Sequence, residues 1–334
     1  MKIKVSFIIP VYNRPEEIKE LLQSFLIQDT IIEYEIIISE DGSTETSEDV
    51  ISSFQNLPIR YFYKPNSGPG DSRNYGMKHA TGDFFIILDS DCILPPHYFK
   101  ELARFLENNK VDCFGGPDRA HQDFSPVQKA INYTMTSFLT TGGIRGHKKQ
   151  IQKFEPRSFN MGLSKKAFIE TGGFGNIHPG EDPDLVQNIL KRGFTTGFAP
   201  DVFVYHKRRI SFEKFHIQVK KFGAVRAILN KWHPQSSKIT FWFPTFFVIF
   251  SIVSVLLLLY KIYIPFLLLL IYNFLVFIDA SIKNKSLYIG LLSIMAMYIQ
   301  FYGYGIAFFK ATVIIQVLKR DIQQSFPKLF FIKS

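Results

Sequence analysis

A chain of 334 residues is a little over twice the size of an ordinary domain, which points to one large α/β domain with an appendage. Its net charge of +10 is unevenly spread: residues 1–205 carry 22 basic and 26 acidic side chains, residues 206–240 carry 9 and 1, and residues 241–334 carry 8 and 2. The acidic first part excludes a nucleic-acid footprint there, and the 2 cysteines, Cys92 and Cys113, exclude a disulfide framework and cannot make a structural zinc site by themselves.

The chain opens Met1-Lys2-Ile3-Lys4 and continues with a strand-like run of 6 residues ending at Pro10, too short for the core of a signal peptide. The first domain is therefore expected in the cytosol, a reducing compartment that suits two isolated thiols. Up to residue 205, short β-rich runs at 5–9, 35–39, 60–63, 84–88, 195–198 and 202–205 alternate with helical patterns at 15–28, 46–54, 70–80, 96–107 and 182–192. This βαβ rhythm predicts a mostly parallel, Rossmann-like sheet with helices on both faces, in which ligands sit beyond the carboxyl ends of the strands.

Polar clusters follow those strands. After the first comes Pro10-Val11-Tyr12-Asn13-Arg14, and after the second Glu40-Asp41-Gly42-Ser43. A ring at Tyr12 and a carboxylate at Asp41 suit a nucleobase, although Asp41 can equally cap a helix start. In residues 66–76, small residues open a helix with Arg73 in its first turn. That is either a phosphate-directed guanidinium and helix N-terminus, or an ordinary glycine-rich start with Arg73 paired to an acid such as Asp71 or Asp41.

Asp89-Ser90-Asp91 directly follows the apolar run 84–88, placing two carboxylates two residues apart at a strand exit. Mg²⁺ or Mn²⁺ held by one or two carboxylates and completed by substrate phosphates is the chemistry this D-x-D pattern serves, with a capped loop as the plain alternative. Further on, Gly180-Glu181-Asp182-Pro183-Asp184 groups three acids at a helix start. The helix dipole favours them there, and Asp184 reads as a cap, while a carboxylate at the mouth of the site can act as a general base. His206 ends this part, a candidate metal ligand, with Arg208 or Arg209 placed for a diphosphate.

The segment 211–238 follows as a linker and basic helix, with Phe212, Phe215, Val219, Phe222 and Val225 at helical spacing and Lys214, Lys220, Lys221 and Arg226 between them. It reads as an interfacial amphipathic helix, as a helix whose phenylalanine stripe packs on protein, or as both. The transmembrane region, 239–318, holds about three hydrophobic stretches, 239–260, 262–278 and 286–309, ahead of a basic tail at 319–334. Three simple crossings would put that tail opposite a cytosolic first domain, against the positive-inside bias. Either Tyr302-Gly303-Tyr304-Gly305 breaks the last stretch into a re-entrant pair or the second stretch is interfacial.

Taken in order, the segments of residues 5–210 resemble the family 2 glycosyltransferases of the inverting GT-A type. The resemblance is carried by residues 6–14, Asp41-Gly42-Ser43, residues 68–76 with Arg73-Asn74, residues 80–83 leading into Asp89-Ser90-Asp91, Gly172-Gly173-Phe174, Gly180-Glu181-Asp182 and His206. It implies that residues 1–210 form a nucleotide-diphospho-sugar transferase domain. It further implies that Pro10, Tyr12, Arg14, Asp41, Arg73, Asp89 and Ser90 hold the nucleotide sugar, and that Asp91 and His206, with Asp89 as a further candidate, hold Mn²⁺ or Mg²⁺. Asp182 would deprotonate the acceptor hydroxyl with Glu181 in support. Two departures stand out: Glu40 occupies the first position of the usual acid pair before Gly-Ser, and Pro183 follows Asp182 where a variable residue is more usual.

The implied reaction is a single inverting displacement from a nucleotide-diphosphate donor, a UDP-sugar first. The acceptor expected from the membrane tail is a lipid-linked or other glycan in cell-envelope polysaccharide assembly, reached from the cytosolic side of the inner membrane by a multi-pass protein. Transfer to polyprenyl phosphate and processive synthesis are the neighbouring alternatives. Gln218-Val219-Lys220-Lys221-Phe222 lacks the tryptophan of a processive QxxRW signature, which lowers the second. A nucleotidyltransferase would show a basic glycine-rich loop after its first strand, where this chain has Val11-Tyr12-Asn13-Arg14, and an inactive membrane adaptor would not need Asp89, Asp91, Asp182 and His206 intact. Residues 120–159, with Tyr133, Arg145, Lys148 and Lys149, are expected to shape acceptor recognition.

Overall fold

Apolar residues that point alternately to opposite sides of each strand build a sheet buried on both faces. The computed structural model describes residues 4–29, 32–119, 124–142, 154–206 and 211–331, and the chain divides into two compact units. The first holds residues 1–121, 151–207 and 330–334; the second holds residues 122–150 and 208–329.

In the first unit the strands are β1 (Lys4–Val11), β2 (Glu33–Asp41), β3 (Ile59–Lys64), β4 (Phe84–Leu88), β5 (Cys92–Ile93), β6 (Cys113–Gly115), β7 (Asp118–Arg119), β8 (Asn160–Ser164), β9 (Thr196–Phe198) and β10 (Val204–His206). Seven of them form a sheet in the order β3-β2-β1-β4-β8-β6-β9, parallel except where β8 runs against β4 and β6. Chain order reverses on either side of β1, which makes the crevice beyond the carboxyl ends of β1, β2 and β4 the expected ligand position.

Helices α1 (Pro15–Leu26), α2 (Glu48–Ser52), α3 (Pro69–His79) and α4 (Tyr98–Asn108) connect the strands. Phe7, Ile9, Ile36 and Ile86 pack with Leu21, Phe25, Phe99 and Leu102 of α1 and α4 on one face. On the other face Ile8, Ile37, Phe85 and Ile87 meet Met77 of α3 and Leu185 and Ile189 further along the chain. Each fully buried side chain of this size contributes roughly 1.5–3 kcal/mol. Glu35 pins the frame, accepting from Ser6 Oγ at 2.7 Å, Thr81 Oγ1 at 2.8 Å and Arg60 Nη1 at 2.9 Å. Burial opposes its charge, yet these donors hold its carboxyl at about 2.

In the second unit, α5 (Pro126–Thr136) and α6 (Phe138–Thr141) belong with the later helices, after which α7 (Lys165–Thr171) and α8 (Glu181–Lys191) return to the first unit. Then come α9 (Phe212–Trp232), α10 (Phe243–Leu257), α11 (Ile264–Asn284) and α12 (Leu287–Thr312). The spans 239–260, 264–284 and 287–317 are long and apolar enough to cross a membrane, matching the three expected stretches. Helix α12 runs unbroken through residues 302–305, so those glycines do not make a re-entrant pair. They admit close neighbours instead: a β-carbon at Gly303 would meet Val219 of α9 at 2.8 Å, and one at Gly305 would meet Pro244 at 2.7 Å.

The stripe expected on α9 is present in part, with Phe215, Val219 and Val225 buried, while Lys214, Lys220 and Lys221 are exposed. Polar ties anchor α5 and α6 to the apolar helices: Tyr133 Oη donates to Asp279 at 2.7 Å and Tyr272 Oη to the Leu139 carbonyl at 2.7 Å. Arg145, Lys148, Lys149 and residues 207–209 lie outside the described residues.

Candidate active site

Three parallel strands deliver their polar ends to one edge, and a second, small sheet supplies the rest. In the order β5-β10-β7, strand β10 pairs antiparallel with β5, setting His206 opposite Cys92. This register brings a histidine 115 positions down the chain to the D-x-D turn: His206 Nε2 lies 3.1 Å from Asp91 Oδ1 and 4.0 Å from Asp89 Oδ2. The imidazole stacks on Phe159 with ring centroids 5.1 Å apart, and its Nδ1 lies 4.0 Å from Asp118. The other oxygen of Asp91 receives Arg14 Nη1 at 2.8 Å. Burial opposes ionisation of Asp91, but His206 and Arg14 hold its carboxyl well below the usual range.

Asp91 and His206 fit a divalent cation. Asp91 Oδ1 is buried without a hydrogen bond of normal geometry, and it faces an imidazole nitrogen across 3.1 Å. Carboxylate oxygen with imidazole nitrogen suits Mn²⁺, and Mg²⁺ through the oxygens. Cys92 clusters with the pair; burial pushes its thiol pKa well up, and its Sγ donates to the Phe159 carbonyl at 3.3 Å.

Arg73 takes the centre of the site. It is buried, with Nη2 on Asp89 at 2.8 Å and Nη1 on Glu181 at 2.9 Å, and its guanidinium lies 5.3 Å from the centre of the Phe174 ring. The acid partners considered from sequence, Asp71 and Asp41, instead take Lys64, whose Nζ bonds Asp41 and lies 3.5 Å from Asp71. Asp41 also accepts the amides of Ser67 and Gly68, each at 2.9 Å, so its carboxylate cradles the start of α3. Glu40 turns inward to Ser43 Oγ and to the Ser47 amide at 2.9 Å. Pro10 and Ser90 sit at the same edge, and the Tyr12 ring is 51 % exposed.

Helix α8 begins at Gly180, whose φ of +116° lies in the left-handed region, and presents Glu181 and Asp182 in its first turn. Gly70 of α3 must be a glycine for this approach, since a β-carbon there would meet the Gly175 carbonyl at 2.6 Å and Glu181 Cβ at 3.7 Å. Glu181 pairs with Arg73 and with His178 Nδ1, 3.1 Å away. Burial opposes its charge, while His178 and Arg73 hold it at about 2. Asp182 behaves oppositely: burial and the Glu181 charge raise its pKa, against a pull from Arg157, whose Nη1 lies 3.7 Å from Oδ2.

The structure thus gathers Asp89, Asp91 and His206 with Arg14, and Asp89 with Glu181 through Arg73. His178, Arg157, Lys64 and Phe159 were missed from sequence. Only His178, three residues before Glu181, left a signal there.

Residues 6–172 match the model of the family described as Glycosyl transferase family 2. An uncharacterized glycosyltransferase of Rickettsia bellii is 38 % identical over 203 residues, 60 % of this chain and 28 % of the relative. The poly(ribitol-phosphate) beta-N-acetylglucosaminyltransferase TarS of Staphylococcus aureus is 32 % identical over 114 residues, 33 % of this chain and 20 % of the relative. The chain spans less than a third of the length of these curated relatives. Among solved structures, the mannosyltransferase PcManGT from Pyrobaculum calidifontis, in complex with GDP-Man and Mn²⁺, shares the fold. It has a TM-score of 0.59 at 14 % identity, covering 96 % of this chain and 89 % of that one.

Proposed function

The chain belongs to glycosyl transferase family 2 and is a glycosyltransferase of GT-A fold, and from that membership we propose a metal-dependent, inverting transfer of a sugar from a nucleotide-diphosphate donor to an acceptor hydroxyl. The observation that carries the reading is the chain Glu181–Arg73–Asp89, which ties the first turn of α8, where Asp182 follows Glu181 with a raised pKa, to the D-x-D turn at one sheet edge. Pro10, Tyr12 and Asp41 border the nucleotide, and Asp89 and Ser90 its ribose. Asp91 and His206 would hold the Mn²⁺ or Mg²⁺ that stabilises charge on the departing diphosphate. Arg14, already on Asp91, adds positive charge on the same side.

Asp182 takes the proton of the acceptor hydroxyl as that oxygen attacks the anomeric carbon opposite the diphosphate, so the configuration inverts. His178 and Arg73 favour the charged form of Glu181, while desolvation first and the Glu181 charge second raise the pKa of Asp182, the more basic of the two. We place the acceptor in or on a membrane, as a lipid-linked or other glycan of the cell envelope, with the catalytic unit on the cytosolic face of the inner membrane. The three apolar helices and the exposed lysines of α9 support that placement.

The test uses the full chain in membranes, supplied with UDP- and GDP-sugars under Mn²⁺, Mg²⁺ or EDTA. One donor should release its nucleoside diphosphate, with turnover abolished by EDTA. Failure to bind any nucleotide sugar would sink the proposal.

A base must be ionised to act, so kcat/KM should rise with pH through the pKa of Asp182, above the ordinary aspartate position. Removing the opposing cation in Arg157→Met should move this acid limb about one pH unit higher, since a cation this close lowers a carboxyl pKa by about 1–3 units. A pH–rate profile of both proteins checks it.

A further inference from the structure

Far beyond the 6–172 family match, after the apolar helices, the chain comes back to the catalytic unit at Phe330. There Phe330 makes an antiparallel bridge with the buried Ile177, and the Phe331 amide donates to the Asn176 carbonyl at 3.0 Å. The Phe331 ring fills the space where a β-carbon of Gly68 would stand, and its centroid lies 6.1 Å from that of His178. Gly68 itself has a φ of +92°, so the backbone there and the ring above it both demand glycine.

We propose that Phe331 is a positioning residue that clasps loop 175–180 against the start of α3 and thereby sets Glu181 and Asp182. The loop is tied elsewhere near its ends: Asn74 holds Phe174 through two 2.8 Å hydrogen bonds, and α8 holds Glu181. Its middle carries His178, whose Nδ1 lies 3.1 and 3.2 Å from the two oxygens of Glu181. Displacement of that middle passes through His178 to Glu181 and to the neighbouring Asp182. A shift of an ångström in a reacting group can cost on the order of 100-fold in rate, so a loosened loop has a direct kinetic effect.

The kinetic part rests on Asp182 acting as the base, and a readout independent of it is needed. Hydrogen exchange and transfer kinetics of the full chain in lipid nanodiscs, for wild type, Phe331→Ala and Phe331→Leu, supply both. In Phe331→Ala, amides of residues 175–182 should exchange about tenfold faster with β1, β2 and β4 unaffected, and kcat should fall about tenfold with donor KM within about twofold. Phe331→Leu should recover most of both. Unchanged exchange at 175–182, a uniform rise across the unit, or an unchanged kcat would overturn the assignment. If Asp182→Asn keeps the full rate, the base assignment fails by itself, and the exchange pattern still decides whether Phe331 holds the loop.

Discussion

Replacing Asp182 by asparagine is expected to lower the transfer kcat by about 10³-fold while leaving donor binding within about twofold. The substitution keeps size and shape but removes the proton acceptor, and general-base catalysis is worth roughly 10²–10⁴. Asp182 is half-buried, and desolvation together with the neighbouring Glu181 charge raises its pKa while that of Glu181 is lowered, so its carboxylate is the more basic of two adjacent acids and the better placed to accept a proton. Glu181 cannot substitute, because Arg73 and His178 already occupy it. Single-turnover transfer with equilibrium nucleotide binding separates the two effects. A kcat within tenfold of wild type would remove Asp182 from the chemistry.

Asp91→Asn should reduce turnover of the donor by about 10³-fold or more and abolish tight Mn²⁺ binding. Charge stabilisation by a metal is worth several kcal/mol, and 1.36 kcal/mol is tenfold in rate. The amide presents one oxygen without full charge, and it also surrenders the ion pair to Arg14 at 2.8 Å and the close approach of His206 at 3.1 Å. Mn²⁺ binding followed by electron paramagnetic resonance in the presence of nucleoside diphosphate provides a readout separate from activity. Undiminished Mn²⁺ binding in the variant would relocate the metal.

Much of this architecture was legible because three strands end in chemistry. The apolar runs that became β1, β2 and β4 stop at Tyr12, Asp41 and Asp89, and a parallel sheet necessarily carries such ends to one edge. Strands β6 and β8 were not legible: one has three residues, the other reads Asn-Met-Gly-Leu-Ser, and their places come from pairing, β8 with β4 and β6 with β8, rather than from local pattern. The arginines show a similar limit. Sequence leaves Arg73 between a phosphate and an acid such as Asp71 or Asp41 and the resemblance puts Arg14 on the nucleotide sugar, but placement beside Asp89 and Glu181 for the one and Asp91 for the other decides their pairing, and the closeness of those acids depends on the register of β10 and the approach of α8. Arg157 reaches Asp182 across a gap of 25 positions that no local pattern spans.

The bridge between Ile177 and Phe330 also constrains how the polypeptide can thread a bilayer. The chain leaves the catalytic unit after residue 207 and rejoins it at residue 330, with three apolar helices in between. A path that begins and ends on one side of a barrier crosses it an even number of times. For the three apolar helices, which reach crossing length by size and composition, an odd number of crossings would separate residue 330 from residue 207.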